Sequence, residues 1–307
     1  MTHVTFVHGI SNKPPQDQLL RSWKEALGDS DGIELDRLGV SSSMVYWADL
    51  LYERPAVPST AYESLEAYER AGLEEVDMGW LAEASPQEAA LVAGIAAKTG
   101  LTELAGSTDG AELPSPGDLE RIPLPAALKV RLMRTFLRDV HHYLYNWQFS
   151  PRPGESFRIR DEIRSRMIGV LVEGARQPRP HVVISHSMGT VISYDCLKRV
   201  GDCPRIDALI TLGSPLGMDE IQDRFKPEWS RDNGFPRERV GGSWVNVFDR
   251  LDPVVGLDPV LGNDYGLAGE RVIEDIHEPN YGRWRHSISK YLGGTRLRAA
   301  VEKLIPS

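Results

Sequence analysis

The stretch Arg179–Thr190, RPHVVISHSMGT, decides how the rest of the chain is interpreted. It contains an apolar, β-branched run at His181–Ile184, which is typical of a fully buried strand. Beyond Ser187 and Gly189, the segment Thr190–Val200 has apolar residues at roughly helical spacing. A strand, a tight turn with a central serine and a helix are the context of a nucleophile elbow, where a strained turn lifts the serine hydroxyl clear of the sheet edge. The pattern predicts that Ser187 is a nucleophile.

Small residues are needed two positions before and two positions after such a serine, because the strand and helix backbones pass close together there. Gly189 meets this need, whereas Ser185 stands where the G-x-S-x-G pattern has its first glycine. Serine is small enough to be tolerated at that position. The alternative interpretation is an ordinary strand-to-helix turn without chemistry.

The order of the remaining elements predicts an α/β fold with a mostly parallel sheet flanked by helices. A strand at His3–Val7, an apolar helical face over Asp17–Leu27 and a second strand at Ser43–Trp47 make one strand–helix–strand unit. Later elements repeat the alternation. We predict helices at Ser156–Arg176, His286–Leu292 and Arg296–Leu304 and strands at Ile206–Leu212, Trp244–Phe248 and Arg271–Ile276.

The alternation lapses between residues 50 and 153, which we interpret as a helical cap or lid inserted into a core domain formed by residues 1–49 and 154–307. A free-standing helical domain is the alternative. Within this insertion we expect helices at Tyr62–Glu75, Pro86–Lys98 and Pro125–Asn146 and a loop at Leu113–Leu124. Lys226–Gly242, outside the insertion, is polar and rich in Pro and Gly, which favours a mobile surface loop.

A nucleophilic serine needs a base, and the base needs an orienting group, both expected on loops at the carboxyl ends of later strands. Asp252 follows a β run and is the predicted orienting acid, and His286 lies in a loop-to-helix setting beyond the last strand and is the predicted base. The order serine, acid, histidine is the one expected of this scaffold. Three competitors remain open: Asp249 and Asp258 for the acid, and His277 for the base.

An oxyanion hole requires two backbone N–H groups directed at the developing negative charge. We expect one from Met188, the residue after the serine, and one from Ile10 in the loop that follows the first strand. Gly9 would let that loop turn tightly. Taken alone, His8-Gly9 is equally consistent with a plain strand-ending turn.

The segments FVHGI, VVISHSMGT, GSP, VFDRLDPV and RHSISKY together resemble the α/β-hydrolase superfamily, in particular its lipase/esterase-like branch. The resemblance implies acyl-enzyme chemistry on a carboxylic ester, with Ser187 attacking, His286 moving the proton and Asp252 orienting His286. A peptidase or acyltransferase with the same three residues is the nearest alternative. A non-catalytic, hydrolase-shaped binding protein is the second.

Composition narrows the function classes. A net charge of −9 argues against nucleic-acid binding. Cys196 and Cys203 fit neither a metal pattern nor a disulfide framework, and MTHVTFVHG has none of the features of a signal peptide, so we expect a cytoplasmic protein without a cofactor. No apolar run is long enough to cross a membrane. The expected partner is a small ester or acyl substrate, and a protein partner or a second copy could dock through the insertion.

Three polar clusters have simpler explanations than ligand binding. Arg131, Arg134 and Arg138 form a basic stripe that is typical of a solvated helix face, although contact with an anionic group would explain it too. His141 and His142 are adjacent on a helix and therefore point in different directions, which argues against a metal site. The third cluster consists of four aspartates that would bind calcium in a loop. Aspartates are also common in turns, which explains the cluster without a metal. Its members are Asp249, Asp252, Asp258 and Asp264.

Overall fold

The computed structural model describes residues 2–56, 76–99, 126–150, 154–255, 258–282 and 284–305. The helix predicted at Tyr62–Glu75 and the loop predicted at Leu113–Leu124 lie outside the described residues. For residues 126–129 the backbone is described and the side chains are not.

Six strands form one sheet in the order β2-β1-β5-β6-β7-β8, and every neighbouring pair runs parallel. The predicted α/β fold class, a mostly parallel sheet flanked by helices, is therefore confirmed. A short antiparallel pair, β3-β4, lies outside this sheet. The strands are β1 (His3–Val7), β2 (Ser41–Val45), β3 (Gln148–Phe149), β4 (Phe157–Arg158), β5 (His181–His186), β6 (Ala208–Leu212), β7 (Trp244–Phe248) and β8 (Ile273–His277).

The strand order reverses direction between β1 and β5. Strand β2 lies beside β1 at one edge of the sheet, and β6, β7 and β8 follow β5 in chain order toward the other edge. At such a switch point the connections leave on opposite faces and open a crevice at the carboxyl ends of the strands. Ile10 follows β1 and Ser187 follows β5, so the topology brings both segments to the same crevice.

Helices cover both faces of the sheet, and side chains alternate between the two cores. Val4 and Phe6 pack with α1, α8 and α9 on one face, whereas Val7 packs with α3 to α6 on the other. Burial on both faces explains why the central strands are nearly continuous apolar runs. The helices are α1 (Gln16–Gly28), α2 (Ala48–Leu51), α3 (Pro86–Lys98), α4 (Ala126–Leu144), α5 (Ile159–Ala175), α6 (Met188–Arg199), α7 (Asp219–Gln222), α8 (Ile288–Gly293) and α9 (Thr295–Leu304).

The described part of the predicted insertion packs directly on the sheet domain. Phe136, Leu137 and Val140 of α4 belong to the same hydrophobic cluster as Val7 of β1 and Val191 of α6. The division of the chain into a core and a cap remains a prediction, but α4 is part of the main core on its face.

The segment Lys226–Gly242 differs from the mobile surface loop predicted for it. It forms neither a strand nor an α-helix, but Trp229, Phe235 and Val240 are buried in the main core, and the Trp229 indole N–H donates to the carbonyl of Asp264 at 3.1 Å. Isolated aromatic anchors in a polar stretch have no periodicity, which explains why the pattern did not reveal them.

Candidate active site

Ser187 is the single residue between β5 and α6, and its backbone is in a conformation that L-residues rarely adopt. Its φ is 55° and its ψ is −129°, a combination that costs about 1–3 kcal/mol in a non-glycine residue. The turn is fixed by a hydrogen bond from the Ser187 N–H to the carbonyl of Leu212 at 3.0 Å. This is the strained strand-to-helix turn expected of a nucleophile elbow.

Close backbone contact explains the small residues around this turn. A Cβ at position 189 would lie 2.5 Å from the carbonyl oxygen of Val7, so only glycine fits against the end of β1. Ser185, the departure from the G-x-S-x-G pattern, is fully buried, and its hydroxyl is hydrogen-bonded to that of Ser193 in α6 at 2.7 Å. That bond satisfies the hydroxyl, so serine is accommodated where the pattern has glycine.

Asp252 and His286 form a buried hydrogen-bonded pair. The distance from His286 Nδ1 to Asp252 Oδ2 is 2.8 Å, and the side chain of His286 is 5% exposed and that of Asp252 is 0% exposed. A carboxylate accepts, so Nδ1 carries the proton of the neutral imidazole and Nε2 has a free lone pair. His286 Nε2 and Ser187 Oγ are both buried and have no hydrogen-bond partner among the described residues.

Asp252 is held by two further donors. The Tyr291 hydroxyl donates to Asp252 Oδ2 at 2.8 Å, and the Val254 N–H donates to Oδ1 at 2.9 Å. Burial first, and then the negative charge of Asp252, raise the pKa of Tyr291 well above 10, so its hydroxyl remains a donor. Tyr291 in turn accepts the Asp249 N–H at 3.0 Å.

Two contacts connect Ser187 to this pair. The imidazole of His186 stacks on that of His286 with ring centroids 4.6 Å apart. Gly213 directly follows Leu212, whose carbonyl accepts the Ser187 N–H, and its φ is 53°. A Cβ on Gly213 would lie 2.8 Å from Asp252 Oδ2 and 3.1 Å from His286 Nδ1, so this turn also contacts the pair. His186 and the Leu212–Gly213 turn thus link the predicted serine to the predicted acid and histidine.

The competitors have other surroundings. Asp249 accepts N–H groups from Leu251 at 2.8 Å and Asn280 at 2.7 Å, and it forms an ion pair with Arg285 at 3.1 Å. It therefore ties the loop of Asp252 to the loop of His286.

Asp258 and His277 lie in local contacts of their own. Asp258 Oδ1 accepts the Val260 N–H at 3.3 Å within its own turn. His277 ends β8, with its ring centroid 5.7 Å from that of Phe248.

The loop after β1 lies directly against Ser187. A Cβ on Gly9 would be 2.7 Å from the Ser187 Cβ. His8 Nδ1 is hydrogen-bonded to the Gly9 carbonyl at 2.8 Å, and His8 Nε2 accepts the Trp47 N–H at 3.1 Å. Burial first, and then the Lys13 charge, hold the pKa of His8 well below 6.5, so these bonds belong to the neutral tautomer with the proton on Nδ1. The loop that carries Ile10 therefore lies against Ser187, and Met188, the other predicted oxyanion donor, follows Ser187 as the first residue of α6.

His186 is also neutral. Burial first, and then the proximity of His286, hold its pKa well below 6.5. It is 3% exposed, and neither ring nitrogen has a hydrogen-bond partner among the described residues. The ring that faces His286 is thus uncharged.

Sequence reasoning missed the supporting contacts of Tyr291, Gly213 and His8, and it considered Asp249 only as a competitor for the acid. Tyr291 is the last residue of the segment RHSISKY, whose pattern indicates no role for it. A Gly directly after a predicted strand, as in GSP, is the one local signal that could have indicated a turn needing positive φ. The other contacts join residues distant in the chain and leave no local pattern.

Among the described residues, no group of three or more His, Cys, Asp or Glu side chains is arranged to hold a metal ion. Cys196 and Cys203 are both free and buried. No helix in the described part of the chain has the length and apolar character needed to cross a membrane.

Comparison with known proteins assigns the chain to no family. No family model and no curated protein sequence matches the chain. Among solved structures, the chain is similar to acetyl xylan esterase 1 from Thermoanaerobacterium sp. JW/SL YS485, with 13% sequence identity, coverage of 92% of this chain and 69% of that chain, and a TM-score of 0.31. A likeness at this identity and TM-score says nothing about activity, which has to be argued from the residues of the site.

Proposed function

We propose that the protein is a serine hydrolase that cleaves a carboxylic ester through an acyl-enzyme intermediate. The proposal is carried by the unpartnered Ser187 hydroxyl, held on a strained turn next to His186, whose ring stacks on the His286 imidazole. The Nδ1 of His286 is bonded to a buried carboxylate. Serine is a weak nucleophile alone, and a base oriented by a third group is what activates it.

In the first half-reaction, Ser187 Oγ attacks the ester carbonyl carbon while His286 Nε2 takes the hydroxyl proton. The backbone N–H groups of Ile10 and Met188 stabilise the oxyanion. The tetrahedral intermediate collapses, the carbon–oxygen bond of the alcohol breaks, and His286 returns the proton to the leaving alkoxide. Asp252 keeps the proton of the neutral ring on Nδ1 and stabilises the imidazolium.

In the second half-reaction, water attacks the acyl carbon and His286 takes its proton. Collapse of the second intermediate releases the acid and returns the proton to Ser187. Each cycle consumes one ester and one water and yields one alcohol and one carboxylic acid, so no cofactor is required.

The test is turnover of p-nitrophenyl acetate by the wild type and by Ser187→Ala. Ser187 is fully buried, so a small acetyl substrate is the appropriate first choice. We expect the variant to lose at least about 10³-fold in kcat with an unchanged circular dichroism spectrum. Equal turnover by the two proteins contradicts the proposal.

Labelling with a short-chain fluorophosphonate, mapped by mass spectrometry, checks the nucleophile directly. Modification at Ser187 in the wild type and its absence in Ser187→Ala are expected. A panel of acetylated peptides and of alcohol acceptors separates ester hydrolysis from peptidase and acyltransferase activity.

A further inference from the structure

A fully buried carboxylate on helix α4 contacts the loop that carries one predicted oxyanion donor. Asp139 is 0% exposed, and its Oδ2 accepts the backbone N–H of Ser11 at 3.2 Å, across 128 residues of sequence. Ser11 directly follows Ile10 and has a φ of 74°, in the left-handed region that serine rarely adopts. The hydrogen bond thus holds a strained residue at the edge of the candidate site.

The charge of Asp139 is compensated on its other oxygen. Arg138 donates to Asp139 Oδ1 from Nε at 3.0 Å and from Nη2 at 2.7 Å, and the same Nη2 lies 2.6 Å from the Tyr52 hydroxyl oxygen. A buried carboxylate without such partners would cost several kcal/mol. Because the guanidinium occupies Oδ1, Oδ2 is left to accept the Ser11 N–H.

The peptide groups on both sides of Ile10 are fixed by hydrogen bonds. The Ile10 N–H belongs to the same planar unit as the Gly9 carbonyl, which is bonded to His8 Nδ1 at 2.8 Å. The next planar unit ends in the Ser11 N–H, which is bonded to Asp139. With both planes fixed, the direction of the Ile10 N–H is set before substrate arrives. Stabilisation of an oxyanion depends on donors that are oriented in advance.

We propose that Asp139 is a positioning residue for the loop of residues 8–11, here called the oxyanion loop, that Arg138 locks it in place, and that the Asp139–Ser11 bond sets the rate of the chemical step. The inference rests on the proposed function. Loss of this bond changes the orientation of the Ile10 N–H, and the transition state then loses stabilisation that the ground state does not use. The effect falls on kcat and leaves KM nearly unchanged.

Asp139→Asn is the main test. An amide has one acceptor oxygen, so it cannot serve both the Arg138 fork and the Ser11 N–H, which lie on different oxygens of Asp139. With p-nitrophenyl acetate we expect kcat to fall about 10- to 100-fold and KM to stay within about twofold. The affinity for a short-chain trifluoromethyl ketone, which forms a tetrahedral oxyanion adduct on a nucleophilic serine, should fall by the same factor as kcat/KM.

Asp195 provides a matched control. It is also 0% exposed, it receives a two-pronged contact from Arg164 at 2.7 and 2.8 Å, and it accepts the Tyr143 hydroxyl at 2.7 Å. Asp195→Asn weakens a comparable buried cluster, in which α4 contacts α6 through Tyr143, and leaves the Asp139–Ser11 bond in place. We expect Asp195→Asn to lower the midpoint of urea unfolding by about as much as Asp139→Asn does. Its kcat should stay within about threefold of the wild type, and its affinity for the inhibitor should be unchanged.

Arg138→Lys keeps the positive charge but loses the paired Nε and Nη2 donors to Asp139 Oδ1. It serves as the test variant if Asp139→Asn does not fold. It should lower kcat about 3- to 10-fold at constant KM. The positioning role is wrong if Asp139→Asn and Arg138→Lys both keep the kcat and the inhibitor affinity of the wild type. If Ser187→Ala is inactive in the same experiment, the proposed function is unaffected by that result. An equal kcat loss in Asp195→Asn overturns the positioning role too. An active Ser187→Ala rejects the proposed function itself.

Discussion

At the scale of single residues, the site is marked by buried polar atoms that have nothing to bond to. Ser187 Oγ, His286 Nε2 and both ring nitrogens of His186 are buried without a hydrogen-bond partner among the described residues. An unsatisfied buried polar group typically costs about 1–3 kcal/mol, and a stable core therefore avoids it. Their gathering around a strained serine is explained if substrate or water supplies the missing partners.

The two neighbouring aspartates have different expected roles, and their asparagine variants should separate them. Asp252→Asn replaces the acceptor of the His286 Nδ1 proton and favours the wrong tautomer, so kcat should fall about 10³- to 10⁴-fold. The measurement is p-nitrophenyl acetate turnover together with a urea unfolding curve, and the unfolding midpoint should move little.

Asp249→Asn is the comparison. Asp249 joins the loops of Asp252 and His286 through Asn280 and Arg285, so its replacement should lower the free energy of unfolding by about 2–4 kcal/mol. If Asp249→Asn instead leaves stability intact and abolishes turnover while Asp252→Asn stays active, the acid has been assigned to the wrong residue.

At the scale of elements, α6 packs closely against the end of β1 because position 189 is a glycine and has no side chain. A Cβ on Gly189 would lie 2.5 Å from the Val7 carbonyl oxygen and 2.7 Å from that of His8, so Gly189→Ala must push α6 away from the strand. The same shift moves Met188 and Ser187 relative to the loop of Gly9. We expect a loss of about 2–3 kcal/mol of unfolding free energy and at least about 10-fold of kcat.

Gly169 offers the control for this substitution. It is also in a helix, α5, but a Cβ there would meet nothing within 4 Å. Gly169→Ala should therefore be neutral or raise stability by up to about 1 kcal/mol, through helix propensity, with kcat unchanged. Equal stability of Gly189→Ala and the wild type in thermal unfolding would show that the two elements are not in tight contact.

Elements were predictable from the sequence where their pattern is local. The bounds predicted for His3–Val7, Trp244–Phe248 and Pro86–Lys98 agree with β1, β7 and α3, because short apolar runs and helical spacing are fixed by neighbouring residues. The contact of Asp139 with Ser11 was not predictable, since no local signal joins residues 128 positions apart. The same holds for Trp229, whose burial depends on tertiary packing alone.

At the scale of the whole molecule, buried neutral histidines link stability to pH. Of the 8 histidines, 6 have a pKa below the usual 6.5, with burial as the largest cause in each; they are His3, His8, His141, His142, His181 and His186. Below pH 6.5 the unfolded chain binds protons at these positions that the folded chain does not. The free energy of unfolding is therefore largest above pH 6.5 and falls as the solution is acidified.

His181 isolates this effect from the catalytic site. It lies at the start of β5, 1% exposed, with its Nε2 bonded to Thr5 Oγ1 at 2.9 Å. Burial first, and then the charge of His3, lower its pKa to about 4, so its share of the acid destabilisation develops between pH 6.5 and 4 and amounts to about 2 kcal/mol at pH 5. We expect His181→Asn to be less stable than the wild type at pH 7.5 but to lose about 2 kcal/mol less between pH 7.5 and 5, measured by urea unfolding at each pH. Parallel pH profiles for the two proteins would mean that His181 is protonated to the same extent in the folded and unfolded chains, which its burial beside His3 in the sheet argues against.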